Sequence, residues 1–118
     1  MLRAHILGGG ALAAVAVCLS IGTADAQDGL ATLHDWVRVG GKTCMKDHFH
    51  SGSSTGQANR KQAEAQAIGA WASFTAWEYG DHWGRWRLAE TKRVNCSGTG
   101  GSWACDIEAR PCKMSRGR

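Results

Sequence analysis

The chain has 118 residues, of which 43% are hydrophobic and 20% charged, and its 14 basic against 10 acidic side chains give a net charge of +4. This length predicts one domain at most, and the 92 residues that follow the predicted 26-residue leader would bury only about 60–65% of their unfolded surface. The modest basic excess suits an anionic partner, and it suits solubility equally well.

The first 26 residues have the layout of a secretory signal peptide. Arg3 precedes the apolar run ILGGGALAAVAVCLSIG, and Ala24-Asp25-Ala26 is a small-x-small cleavage site. The run is short and glycine-rich, which favours a cleaved leader over a transmembrane helix. Cys18 would carry a lipid in a lipoprotein, but Val17 is not the small residue that a lipobox requires. We therefore expect residues 27–118 to form a periplasmic or secreted domain with no transmembrane segment after processing.

Residues 30–50 predict a first β-hairpin. WVRV (residues 36–39) alternates apolar and polar positions, Gly40-Gly41 suits a two-residue turn, and KTCMKDHFH follows. An extended second strand would place one set of side chains on a common face. That set is Cys44, Lys46, His48 and His50, with Met45, Asp47 and Phe49 opposite.

The middle of the chain predicts a loop followed by one long helix. SGSSTGQ predicts the loop, and it offers two helix starts, Ser54 with Gln57 and Asn59 with Gln62. NRKQAEAQAIGAWASFTAWEY is rich in alanine and repeats apolar residues every three or four positions. The predicted buried stripe contains Ala63, Ala67, Ala70, Trp71, Phe74 and Trp77, and is widened by Ile68, Ala72, Ala76 and Tyr79. Gly80 is expected to end the helix in a left-handed conformation.

The last third of the chain predicts one more helical turn from Asp81 and then a second hairpin. KRVNCS and SWACDIEARPC are its strands, and GTGG is its turn. In the last strand alternate residues face the core, namely Trp103, Cys105, Ile107 and Ala109. The order hairpin, helix, hairpin predicts a small α+β domain with the helix across one face of the sheet.

Four cysteines remain after the leader: Cys44, Cys96, Cys105 and Cys112. An even number in a small exported chain predicts two disulfides with three formal connectivities. We favour Cys96–Cys105, whose sulfurs lie on the inner side of the second hairpin, with Cys44–Cys112. Closing these loops would stabilise the domain by about 2.7 and 4.4 kcal/mol. A zinc–thiolate site is disfavoured because no Cys-x-x-Cys pair occurs.

The run AWASFTAWEYGDHWGRWRLAETKRVNC, followed by W-x-C and ARPC, resembles a group of small exported proteins of alphaproteobacteria. The resemblance covers about two thirds of the chain after the leader. It implies an exported location and a disulfide-bonded α+β unit. The group is uncharacterised, so the resemblance implies no activity and no catalytic residue.

The sequence DHFH contains the candidate metal ligands. On a strand, His48 and His50 point the same way, with α-carbons about 6.5–7 Å apart, and both rings can reach one zinc or copper ion. His82, Glu78, Asp47 and His34 are the candidate third ligands. Glu78 and His82 share a face only if the helix continues through Gly80. The alternative is an exposed strand whose histidines bind nothing and whose domain has no cofactor.

The same histidines with a carboxylate could instead provide acid–base groups for RNA cleavage, because histidine titrates near neutral pH. No residue pattern assembles them around a phosphate, so we expect a non-enzymatic protein, with a nuclease-like or metal-dependent hydrolase as the alternative. A purely structural or stress-protective envelope protein is a further possibility.

HWGRWR is the candidate partner surface, because Trp83 and Trp86 alternate with Arg85 and Arg87. Aromatic and guanidinium groups together stack on sugars or bases and pair with anions. The alternative is a turn whose tryptophans fill the core while its arginines face water. We expect an exported envelope domain that binds an anionic glycan or lipopolysaccharide, and we expect no nucleic-acid binding.

Overall fold

The computed structural model describes residues 9–10 and 28–116. The predicted α+β fold is confirmed: one helix packs on one of two small antiparallel sheets. Apart from Gly9 and Gly10, the predicted signal peptide lies outside the described residues, as does Cys18. Of the described helices, none combines the length and the apolar character needed to cross a bilayer.

Within the described residues, six strands form two three-stranded antiparallel sheets. The first sheet has the order β1-β2-β6, made of β1 (Trp36–Val39), β2 (Lys42–Met45) and β6 (Cys112–Met114). The second has the order β3-β5-β4, made of β3 (His50–Gln57), β5 (Ser102–Arg110) and β4 (Glu90–Thr99). Both predicted hairpins are present, and their turns are Gly40-Gly41 and Gly100-Gly101, with φ of 60°, 55° and 91° at Gly40, Gly100 and Gly101.

The chain crosses between the two sheets at a corner formed by two adjacent segments. Residues 46–49 connect β2 to β3, and Pro111 connects β5 to β6. The Met45 N–H donates to the Pro111 carbonyl at 3.0 Å, which ties the two crossings together. The prediction of one strand through residue 50 is therefore wrong in extent, because the chain leaves the first sheet after Met45.

The loop predicted for SGSSTGQ is also wrong, because this segment forms most of β3. At Gly52 the strand β3 lies so close to the helix that there is no room for a side chain. A β-carbon at Gly52 would lie 2.3 Å from the Ala67 carbonyl oxygen and 2.7 Å from the Trp71 nitrogen. Only glycine therefore lets β3 approach the helix backbone this closely.

The helix α1 (Arg60–Tyr79) begins at the second of the two predicted caps. The Asn59 side chain accepts a hydrogen bond from the Gln62 N–H at 2.9 Å, which satisfies a free donor of the first turn. Gly80 ends the helix with φ 102° and ψ 159°, so its φ is positive as predicted but its ψ is extended rather than left-handed helical.

The helix face that packs on the second sheet follows a spacing of four residues. Its buried members are Ala63, Ala67, Trp71, Thr75 and Tyr79. Burial of Ala70, Phe74 and Trp77 was predicted wrongly: Ala70 is exposed, Phe74 is 45% exposed and Trp77 is 80% exposed. The three-residue steps of the predicted stripe rotate these side chains off the face that contacts β3 and β5.

Both favoured disulfides are present, Cys44–Cys112 and Cys96–Cys105. Each joins directly opposite residues of neighbouring strands, the first between β2 and β6 and the second between β4 and β5. Cys44–Cys112 spans 68 positions and fixes the short strand β6 on the first sheet. In the chain-entropy model a longer closed loop gives more stabilisation, about 4 kcal/mol for Cys44–Cys112 and about 3 kcal/mol for Cys96–Cys105.

Candidate metal site

Two histidines of the corner and one carboxylate of the helix converge. His48 lies in the crossing segment, His50 begins β3, and Glu78 lies in the last turn of α1. One potential ligand atom from each of the three lies within 4.8 Å of the other two. His50 belongs to β3, whereas His48 precedes it by two residues in the segment that connects the two sheets.

The hydrogen bonds of His50 fix which ring nitrogen carries its proton. The Thr75 hydroxyl donates to the Trp71 carbonyl at 2.7 Å, so its single proton is already used. Thr75 Oγ1 therefore accepts from His50 Nδ1, which lies 2.9 Å away. A neutral His50 carries its hydrogen on Nδ1 and presents the lone pair of Nε2 to the other side.

The Nε2 atom of His50 lies beside a carboxylate. His50 Nε2 lies 3.0 Å from Glu78 Oε2, yet the atom is buried without a hydrogen-bond partner. If the ring is a protonated imidazolium, this contact is an ion pair. If the ring is neutral, the lone pairs of Nε2 and of the Glu78 oxygen repel each other. The environment of His50 decides between these descriptions.

That environment favours the neutral ring. Burial, together with the charges of His48 and His34, lowers the pKa of His50 from 6.5 to about 4. Its side chain is only 3% exposed, so water does not offset the cost of a buried charge. At neutral pH the site therefore contains an unprotonated nitrogen and a carboxylate oxygen in close contact. A cation bound between these two atoms would relieve their repulsion.

His34 and Tyr79 complete the surroundings. Tyr79 stacks on His50 with ring centroids 4.7 Å apart, and the ring of His34 lies 4.4 Å from that of His48. Burial, with a further contribution from Glu78, raises the pKa of Tyr79 to about 12, so its hydroxyl keeps its proton. That hydroxyl lies 3.2 Å from His34 Nε2, which gives His34 a partner outside the group of three.

The other candidate third ligands lie elsewhere. His82 lines a different pocket with Asp28 and Arg85, because α1 ends before Gly80 and the following turn carries His82 away. It does not join His48 and His50, so the prediction of His82 as their common metal ligand lacks geometric support. Asp47 lines a shallow pocket beside His34 and His48, and it is not part of the group of three.

The two tryptophans of HWGRWR pack inward, whereas its two arginines are exposed. Trp83 is fully buried and donates its ring N–H to Asp28 Oδ1 at 2.9 Å. Trp86, in the short 3-10 helix Trp86–Leu88, is half-buried with its ring edge-on to Trp71. Arg85 and Arg87 remain available for a partner, but Trp83 provides no exposed stacking face.

Thr75 is the site residue that the sequence analysis missed. It orients His50 from the buried face of α1. The four-residue spacing Ala63, Ala67, Trp71, Thr75, Tyr79 is the signal that would have revealed it. Comparisons of the chain with protein-family models, with curated proteins and with solved structures found no match.

Proposed function

We propose that this protein is an exported metal-binding domain of the cell envelope, with His48, His50 and Glu78 as the ligands of one zinc or copper ion. The observation that carries the proposal is the buried Nε2 of His50, which lacks a hydrogen-bond partner and lies 3.0 Å from a carboxylate oxygen. A metal ion supplies the positive charge that both atoms lack.

The ligand set suits zinc and copper better than calcium or magnesium. Imidazole nitrogen is a ligand for zinc and copper, whereas calcium and magnesium require oxygen ligands. Neighbouring ligand atoms of tetrahedral zinc are about 3.3 Å apart when each bond is about 2.0–2.1 Å. His50 and Glu78 already lie near this spacing, and His48 needs only a small inward shift from its irregular segment.

The support behind His50 is of the kind that metal ligands have. A ligating histidine donates its second ring N–H to a neighbouring acceptor, which fixes the ring orientation. Thr75 has this role for His50, and its own proton is held by the helix backbone. The ring of His50 is thus held in one orientation before any ion arrives, which lowers the cost of binding.

Export is part of the proposal because the four cysteines within residues 28–116 are paired in two disulfides. Disulfides persist in oxidising compartments and are rare in the cytosol. Their pairing also removes these four thiolates as competing ligands, so a soft metal would bind the histidines. The predicted leader and the periplasmic or secreted location agree with this chemistry.

A metal-dependent hydrolase is the second candidate function. Two histidines and one glutamate leave a fourth position for water, which is the arrangement of catalytic zinc sites. His48 borders a pocket of about 290 Å³ with polar lining residues, so the region next to it is open to solvent. Hydrolysis of RNA or of simple esters by the zinc-loaded protein would support this function. Full zinc occupancy without hydrolysis would exclude it and leave only the metal-binding function.

The test is calorimetric titration of tag-free, metal-stripped protein with zinc and with copper. We expect one ion per chain in the wild type. We expect at least a tenfold loss of affinity in His50→Gln and in Glu78→Gln, because each removes one of three ligands.

His82→Gln is the matched control, since it removes a histidine that lies outside the group. Its affinity should remain within about twofold of the wild type. Absence of stoichiometric binding in the wild type, or an equal loss in His82→Gln, would overturn the proposal.

A further inference from the structure

A second pocket, separate from the candidate metal site, has three permanently cationic side chains among its eight lining residues. It lies between the segment after α1 and the end of β6, and its volume is about 250 Å³. Its charged or titratable lining residues are Asp28, His82, Arg85, Lys113 and Arg116. Among the described residues of this lining, three permanent cations against one carboxylate give a net charge of +2.

One of these cations is held in place. Lys113 Nζ donates to Asp28 Oδ1 at 2.6 Å. It also lies 4.8 Å from the centre of the Trp36 ring and 5.1 Å from that of Trp83, so two aromatic faces attract it. Its position costs no further ordering when a ligand binds.

The backbone beside the pocket is anchored as well. The Ser115 N–H donates to the Gly41 carbonyl at 2.9 Å, and the Ser115 and Thr43 hydroxyls lie 2.8 Å apart. The Cys44–Cys112 disulfide holds β6 just before this point. The chain from Lys113 to Ser115 is therefore fixed on the first sheet, and Arg116 follows it directly.

Asp28 reports the positive potential of the pocket. Burial alone would raise the pKa of its carboxyl. Hydrogen bonds from Lys113 and Trp83, and the charges of Lys113 and Arg116, outweigh burial and lower that pKa. A second anion that enters the pocket experiences the same cations.

We infer that this pocket binds a phosphate-monoester group through Arg85, Arg116 and His82, with Lys113 as a fixed cation behind them. A phosphate monoester carries a charge of about −1.5 to −2 at neutral pH, which matches the net +2 of the lining. The volume is below that of drug-sized sites and suits a phosphate head group rather than an extended chain. The guanidinium group of Arg85 can donate two parallel hydrogen bonds to phosphate oxygens, and Arg116 adds a second guanidinium charge to the lining.

This inference does not depend on the metal proposal, because the two sites share no residue. It also differs from the partner surface predicted from the sequence. Arg85 and His82 belong to the pocket, whereas Arg87 does not line it. The anion is held by charge and hydrogen bonds, with no exposed tryptophan stacked on a sugar.

The test is a titration of the isotope-labelled protein with inorganic phosphate, followed by NMR in metal-free buffer at constant ionic strength. We expect saturable shifts in the amide signals of His82, Arg85 and Ser115. The variant Arg85→Gln/Arg116→Gln should bind inorganic phosphate at least tenfold more weakly than the wild type. Arg38→Gln/Arg87→Gln removes the same charge from exposed positions outside the pocket and should change the affinity less than twofold.

A second arm distinguishes the source of the phosphate. Sedimentation with vesicles that contain phosphatidic acid, whose head group is a phosphate monoester, is compared with sedimentation with phosphatidylcholine vesicles. Selective retention on the first identifies a lipid head group as an accessible ligand, and binding of inorganic phosphate alone identifies a free one. No saturable shift in the wild type, or equal weakening in both double variants, would overturn the inference.

Discussion

The protonation state of His50 can be measured through the pH dependence of stability. Its pKa is lowered from 6.5 to about 4 in the folded protein, first by burial and then by His48 and His34. The folded state therefore binds this proton less readily than the unfolded state. The part of the stability that depends on a neutral His50 is fully present above pH 6.5, and it is lost as the pH falls from 6.5 toward 4.

The expected size follows from the shift. Each unit of pKa difference corresponds to 1.36 kcal/mol, so the full effect is about 3 kcal/mol, of which about 2 kcal/mol is lost between pH 7 and pH 4.5. The assay is urea unfolding of metal-free protein at constant ionic strength at a series of pH values. His48 has a lowered pKa for similar reasons, burial first and then His34, so its contribution falls in the same direction.

The variant His50→Gln isolates the effect, since it should lose most of the dependence between pH 7 and 4.5. His82→Gln should retain it. The pKa of Asp28 is lowered from 3.8, so its contribution is lost at more acidic pH, and stopping at pH 4.5 avoids it. If His50 were instead protonated and paired with Glu78, the wild type would gain stability as the pH fell through 6.5. That opposite sign would refute the neutral-ring description.

Two pairs of substitutions test the packing that holds the site. Gly52→Ala should destabilise the fold by about 3 kcal/mol in urea unfolding, because its β-carbon would meet helix backbone at 2.3 Å. Gly69 lies in α1, and a β-carbon built there has no neighbouring atom within 4 Å, so Gly69→Ala should stabilise the fold by up to about 1 kcal/mol. Equal effects of the two substitutions would contradict the close approach of β3 to the helix. Trp71→Ala should cost about 3–5 kcal/mol because the ring is fully buried, whereas Trp77→Ala, at an 80% exposed ring, should cost less than about 1 kcal/mol. Similar losses in both tryptophan variants would contradict the observed helix face.

The parts of the fold that follow from local sequence were predicted correctly. The hairpin turns require glycines with positive φ, the helix start requires a capping side chain, and the disulfides join cysteines on strands whose alternation is readable. β3 could not be predicted in this way. Its glycine and serine content has low strand propensity, and the strand forms because Gly52 fits against the helix, which is a tertiary contact.

The candidate site was predicted only in part. The paired histidines were identified from His-x-His, although only His50 of the two lies in a strand. Glu78 and His82 were both candidate third ligands, and Glu78 alone of the two joins the histidines because the helix ends at Tyr79. Thr75 was missed because the large aromatic residues Phe74 and Trp77 suggested a different buried face, although both are exposed.

X-ray absorption spectroscopy of the zinc-loaded protein tests the central claim most directly, because it identifies the atoms around the ion. The proposed site predicts nitrogen and oxygen neighbours at about 2.0–2.1 Å with the outer-shell scattering of two imidazole rings, and the loss of one ring in His50→Gln. Sulfur neighbours at about 2.3 Å, or a shell of water oxygens without imidazole, would contradict it.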